Sequence, residues 1–323
     1  MNALNALFTY FFSAIPFGIT LLYGCVGEIL TEKSGHLNLG IPGIMCVGGA
    51  TGALSLRLLE NSGLPPAIIV IISIISSLLG GIIMGGIYCI LTVTLKANQN
   101  ITGLALTTFG VGTMKFIMAK ISSIHEAPHY QYALKYFRFP FAQRTDALQY
   151  FGVMLYLAII IAIVAALILT RTRVGLHLRA IGENPAAADA VGINVTKYKY
   201  MATCSGSGIA ALGGLFYIMD YGGTPESYKK IEALGWLAVA LVIFTLWKPI
   251  ISIIGSVLFG LLSLAGTYIP TIMNVVMTLA QSELLKLLPY VVTVIVLIVS
   301  SISKKRENQP PASLGLPYFR EER

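Results

Sequence analysis

The chain has 323 residues, of which 56% are hydrophobic and only 11% charged, with a net charge of +8. A water-soluble domain carries about 25% charged residues, so this balance excludes an ordinary soluble enzyme or binding module. The basic excess is explained at a membrane by cytoplasmic Lys and Arg, without any nucleic acid.

In chain order, residues 8–29, 65–95, 151–169, 234–247, 250–269 and 287–302 are apolar runs. Crossing a bilayer as a helix takes about 20 residues. The runs 234–247 and 287–302 are short and need Gly or small polar neighbours to complete a span. No basic residue precedes the first run and no clean cleavage site follows it, so that run is expected to be retained. Residues 39–58 are apolar but broken by Pro42 and several glycines, and they cross or re-enter. Residues 101–119 form a further span. The expectation is an all-α polytopic membrane protein with broken or re-entrant segments.

Lys304, Lys305 and Arg306 follow the last run and place the C-terminus in the cytoplasm. Counting back gives about nine crossings and an outside N-terminus. The transmembrane domain then occupies residues 1–303 and a cytoplasmic tail residues 304–323. Residues 120–149 become an outer loop. Residues 171–199, with five Lys or Arg residues, become a cytoplasmic one.

The thirty-two glycines suit close helix approach. Gly48/Gly52 and Gly81/Gly85 have the G-x-x-x-G spacing, which either marks a packing face or arises by chance in a Gly-rich chain. Cys25, Cys46, Cys89 and Cys204 all lie in apolar segments and read as small core side chains, with no disulfide framework.

Polar groups at depth are costly unless they face a cavity or another helix. Glu28, Glu32 and Lys33 read as an ion pair at a helix end. Lys115 and Glu232 are also placed at depth. Asn98, Gln99 and Asn100, followed by Thr102 and Gly103, read as a break between helices or an interfacial turn. A broken helix exposes backbone groups that bind polar solutes. On that basis Asn38, Asn100, Thr107 and Phe109 are candidate solute-path residues, or else residues that only pack helices.

His125, Glu126 and His129 match H-E-x-x-H, the helical zinc-protease spacing. Pro128 between the histidines breaks the helix that the spacing requires. No metal site is expected, and no phosphate-cradling or dinucleotide motif is present.

The most informative segment is 171–199. Asn184 can cap a helix and Pro185 can open it at its first position. Ala186, Ala187, Ala188, Asp189 and Ala190 then make a small-faced helix ending near Gly192. Gly182 and Glu183 lead into it. So short a helix is firm only when seated against something else. Arg171, Arg173 and Arg179 flank it and suit a protein partner or anionic headgroups.

The stretch GLHLRAIGENPAAADAVGINVTKYKYMATCSGSGIAALGG resembles the cytoplasmic loop and following helix of the branched-chain permease family of ABC importers. EILTEKSGHLNLGIPGIMCVGG, WLAVALVIFTLWKPIISIIGSVLFG, LPYVVTVIVL and LGLPYFREER extend the likeness over nearly the whole chain. The last two, with E-x-x-x-E-K-S-G-x-L-N-L-G-I, look most like the nucleoside (guanosine or purine) subgroup. Pro42 and the polar stretch 223–230 depart from the family pattern.

The resemblance implies a transport subunit in a bacterial plasma membrane, with no catalytic site or cofactor of its own. ATP and Mg would sit on a partner, a cytoplasmic ATPase with two fused nucleotide-binding domains. The other implied partners are a second permease, an extracellular binding lipoprotein, membrane lipid and a nucleoside. The helix formed by residues 184–191, bounded by Gly182 and Gly192, would dock in the ATPase. The competing readings are an ABC permease for a sugar or branched-chain amino acid, and an ATPase-independent secondary transporter or channel.

Overall fold

A computed structural model describes residues 3–122, 151–222, 227–273, 275–303 and 309–319. Among them the regular structure is entirely helical: α1 (Ala3–Glu32), α2 (Ile41–Leu59), α3 (Pro66–Cys89), α4 (Gln99–Ser122), α5 (Val153–Arg171), α6 (Arg173–Glu183), α7 (Pro185–Ala190), α8 (Val195–Phe216), α9 (Ile231–Phe244), α10 (Pro249–Met273), α11 (Leu279–Leu285) and α12 (Leu288–Ser303). Single π-helical turns extend α3 through Ile90–Thr94 and α8 through Tyr217–Gly222.

Eight helical stretches among the described residues are long and apolar enough to cross a membrane, so this is a multi-pass membrane protein. α9, with 14 residues, is shorter than a full crossing and starts beside Pro42 of α2.

The centre of the bundle is α8, with α1, α2 and α3 packed around it. α2 and α8 are the most buried of the eight stretches. Small residues explain how the backbones come so close. Gly27 and Gly206 face each other, and a Cβ on either would sit 2.3 Å from the other's carbonyl oxygen. Both G-x-x-x-G pairs are packing faces: Gly48 and Gly52 lie against Ala211 and Leu215, while Gly81 and Gly85 lie against α8 at Ser207. α10 runs antiparallel to α1, with Gly18 against Ser256 and Gly260 against Ala14. α4 packs mainly on α2, and α12 lies at the margin against α9 and α10. All four cysteines are free; three are buried and Cys204 is half-buried.

At one end of the bundle the chain between α1 and α2 folds back into the helices. Tyr88 donates to the Leu37 carbonyl at 2.6 Å, and the Leu37 amide donates to Gln99 Oε1 at 2.8 Å. Residues 33–40 are thereby held among α1, α3, α4 and α8, and α6 and α7 sit over the same end.

Candidate functional site

Three side-chain caps shape segment 171–199. Thr172 accepts from the Gly175 amide, Asn184 from the Ala187 amide and Asn194 from the Lys197 amide, at 2.9–3.1 Å. Asn184 and Pro185 open α7 as their chemistry dictates. Gly192, at φ +86°, ends it in the left-handed conformation; its amide donates to the Asp189 carbonyl and the Ile193 amide to that of Ala188.

The six-residue α7 is seated on one face only. Ala188 is buried against Ile181 and Val195, with Ile193, Tyr198 and Tyr318 alongside. Glu183, Asn184, Ala187, Ala190, Val191 and Gly192 are exposed. Val191, 76% exposed, puts a bare apolar side chain beside Ala187 and Ala190. Of the two central alanines, therefore, only Ala187 faces outward. Gly182 is wedged: a Cβ there would lie 2.4 Å from the Lys33 carbonyl oxygen and 3.2 Å from Pro311. Arg171, Arg173 and Arg179 are all exposed around this end. Burial above all holds the Lys33 ammonium below its usual range; Arg179 and Lys248 add to this and Glu183 and Glu32 oppose it.

Glu28 and Glu32 do not form the expected ion pair with Lys33. Both are buried. Glu28 Oε1 accepts from the Asn38 amide at 3.0 Å, and the Trp247 indole donates to Glu32. Local sequence suggests Lys33 as partner because it is adjacent. The fold instead returns residues 34–40 and the α9–α10 turn to the carboxylates. In that turn Leu246 and Trp247 have φ of 53° and 56°, a region that costs a non-glycine residue about 1 kcal/mol or more. The buried indole and its bond to Glu32 hold Trp247 there.

His36 is another group of this end. Its Nδ1 lies 3.0 Å from Thr203 Oγ1, its ring meets Tyr88 edge-on, and it is buried. Burial, then Lys199 and Lys96, hold the imidazole well below its ordinary value of about 6.5. The folded pKa of this base is depressed, so its contribution to stability is complete above about pH 6.5 and is lost as pH falls below that value. Stability in detergent is expected to fall by up to about 1.4 kcal/mol per pH unit below pH 6.5. Thermal unfolding at pH 7.5 and 5.0 measures it. His36→Gln flattens this part of the profile; a profile identical to that of the unaltered protein would refute the assignment.

The four candidate path residues do not share one face. Asn38 and Thr107 meet where α2 begins. Asn38 Oδ1 accepts from the Gly40 amide at 3.0 Å, and Thr107 donates to the Leu39 carbonyl at 2.9 Å. Phe109 lies on the opposite, exposed face of α4, whereas Asn100, seven residues before Thr107 and so on Thr107's side of the helix, is exposed in the first turn. On a helix of 3.6 residues per turn, positions 107 and 109 point to opposite sides. The exposed face also carries Thr108, Gly112, Lys115 and Phe116, together with the apolar Ile101 and Leu104.

His125, Glu126 and His129 lie outside the described residues. Among the described residues, no three His, Cys, Asp or Glu side chains are grouped to hold a metal ion.

Comparison with known proteins gives this arrangement a family. The chain is 28% identical over 305 residues to the nucleoside ABC transporter permease NupC of Lactococcus lactis, covering 92% of this chain and 93% of that protein. It is 28% identical over 330 residues to the guanosine ABC transporter permease NupQ of Bacillus subtilis, covering 96% of each. It is also 29% identical over 335 residues to TsgC13 of Haloferax volcanii, named as a candidate glucose ABC transporter permease, covering 93% and 94%. The relatives thus bear names for more than one solute class. A permease component moves solute and breaks no bond, so this chain is a transport subunit and not an enzyme. A family model matches residues 9–297, and the chain belongs to that family, described as the branched-chain amino acid transport system permease component.

Proposed function

We propose that this chain is the membrane subunit of an ATP-driven importer for nucleosides, and that α7 is where a cytoplasmic ATPase grips it. The observation that carries the reading is the one-sided seat of α7. Its inner face is fixed by Ala188 and Gly182, while its outer face offers Ala187, Ala190 and Val191. A helix too short to be stable alone is held rigidly with a small apolar face free, which suits a groove in another protein. The coupling set is Gly182, Glu183, Asn184, Pro185, Ala186, Ala187, Ala188, Asp189 and Gly192. In this reading Gly182, Ala188 and Gly192 shape the element, and Ala187 and Val191 make the contact.

The mechanism is alternating access. ATP and Mg are bound by the ATPase, which has two fused nucleotide-binding domains. Its closure displaces α7, and this chain and a second permease change packing around a central path. A receptor lipoprotein delivers solute from outside. The α7 end is cytoplasmic in the plasma membrane, as the basic residues of 171–199 favour. The exposed face of α4 lines the path. Thr108 and Lys115 there, with Asn100 at the start of the helix, are costly against lipid and suit a water-filled passage between subunits. Phe109 and Phe116 supply ring faces for a base to stack on. Asn38 and Thr107 hold the wall behind them.

The names of NupC and NupQ support nucleosides; the name of TsgC13 favours a sugar as the second reading. Two measurements test the proposal. Calorimetry on the partner receptor should detect guanosine or adenosine and no heat with glucose or leucine. Ala187→Cys carrying a short crosslinker should capture the ATPase in native membranes. A receptor selective for glucose would overturn the solute, and uptake by this chain alone in liposomes would overturn the class.

A further inference from the structure

The C-terminal segment 309–319 runs beneath α7 and ties it to parts of the bundle that α7 itself does not reach. The Ser313 amide and hydroxyl both donate to the Gly182 carbonyl, at 2.9 and 2.6 Å. The Gly315 amide donates to the Gly35 carbonyl at 3.2 Å. Gln99 Nε2 donates to the Leu316 carbonyl at 3.3 Å, and Lys96 Nζ to the Tyr318 carbonyl at 2.8 Å. Tyr318 then donates its hydroxyl to Asp189 Oδ2 of α7 at 2.8 Å. Its ring packs on the Ile181, Ala188 and Val195 cluster. Pro311 and Ser313 are buried, so the segment is built into the fold and does not merely lie on it.

The geometry points to a strap. We propose that residues 309–319 make α7, the 33–40 loop and the start of α4 move as one piece, with Tyr318 as the positioning residue that couples α7 to them. The proposal rests on the reading that α7 receives the ATPase. Among the described residues, the helices that α7 packs against most are its sequence neighbours α6 and α8. The strap reaches Gly35 before α2, and Lys96 and Gln99 at the entry to α4. Those two entries set the position of the α2–α4 wall, where Gly43 lies against Thr107 and Gly103 against Leu39. Displacement of α7 therefore has a short bonded route to the wall: Asp189, Tyr318, then Lys96 and Gln99. Demonstrating that such a route transmits free energy takes a double-mutant cycle rather than proximity.

The test uses the full importer, with ATPase, second permease and receptor, in proteoliposomes. Solute taken up per ATP hydrolysed is the readout. Tyr318→Phe keeps the ring in its apolar seat and removes only the hydroxyl. It is expected to lower uptake per ATP about tenfold, equivalent to about 1.4 kcal/mol of coupling, with ATP hydrolysis within about twofold. Asp189→Ala removes the acceptor and is expected to lower the ratio about as far. Combined with Tyr318→Phe it should add little, as two changes in one contact do. Ending the chain at Gln309 should lower the ratio at least as far as Tyr318→Phe; if that shortened chain fails to assemble, Tyr318→Phe decides. Unchanged uptake per ATP in Tyr318→Phe, with the Ala187→Cys crosslink to the ATPase intact, overturns the strap. Absence of that crosslink in the unaltered chain overturns the docking reading instead.

Discussion

Ala187→Trp is expected to lower solute uptake about 10- to 100-fold, while this chain still folds and the receptor keeps its affinity for solute. The side chain is exposed at the centre of α7, between the cap Asn184 and the apolar Val191, so an indole there points away from the Ile181 and Val195 seat. It meets the groove proposed to receive the helix. Forcing extra volume into a fitted contact costs about 1–3 kcal/mol, and each 1.4 kcal/mol is tenfold in binding. Decisive switching of a two-state machine takes about 5 kcal/mol, so a loss of that size removes much of the drive. Three measurements read the result: uptake in proteoliposomes, solute-stimulated ATP hydrolysis and the monodispersity of the purified subunit. Uptake equal to that of the unaltered importer would sink the docking role of α7. Ala188→Trp is no substitute, because Ala188 is buried on Ile181 and Val195 and the variant would test the fold alone.

The contrast between those two alanines shows what sequence makes legible. The cap at Asn184, the opening proline and the closing glycine are chemistry within a few residues, and each sits where local reasoning puts it. The G-x-x-x-G faces are also local periodicities, and α8 fills both. Which alanine faces inward depends on Ile181 and Val195 and also on Tyr318, more than 100 residues away. The same distance hides the strap. LGLPYF reads as part of a cytoplasmic tail, yet Ser313 and Tyr318 each find a partner about 130 residues upstream. Glu32 meets Trp247 across 215 positions, which no neighbour rule anticipates. The path residues failed to converge for a simpler reason. Asn100, Thr107 and Phe109 share one helix, but the α-helical period puts Thr107 on the face that packs against α2.

Gly214→Leu is expected to be the most damaging single change in the bundle. A Cβ at Gly214 would lie 1.9 Å from the Met45 carbonyl oxygen, with the Gly49 amide nitrogen at 3.0 Å. Both obstacles are backbone, so no rotamer change relieves them; α2 and α8 must part. A gap of about 0.5–1 Å already forfeits a quarter to a half of the contact energy along a seam. This seam joins the two most buried stretches and borders Gly48 and Ala211, so the loss spreads through the centre. In a bilayer, packing of this kind replaces the hydrophobic drive that holds soluble helices together. A cost of about 3 kcal/mol or more, at ~2–4 °C per kcal/mol, lowers the melting temperature by roughly 10 °C, and the purified subunit aggregates. Gly86→Leu is the matched control. It adds the same side chain on α3, where a Cβ meets nothing within 4 Å and the neighbours Ile83 and Ile87 are exposed. Thermal unfolding and size-exclusion profiles of both variants decide the matter. Equal stability of the two would mean that α2 and α8 do not meet along Gly214, and the close-packed centre around α8 would have to be redrawn.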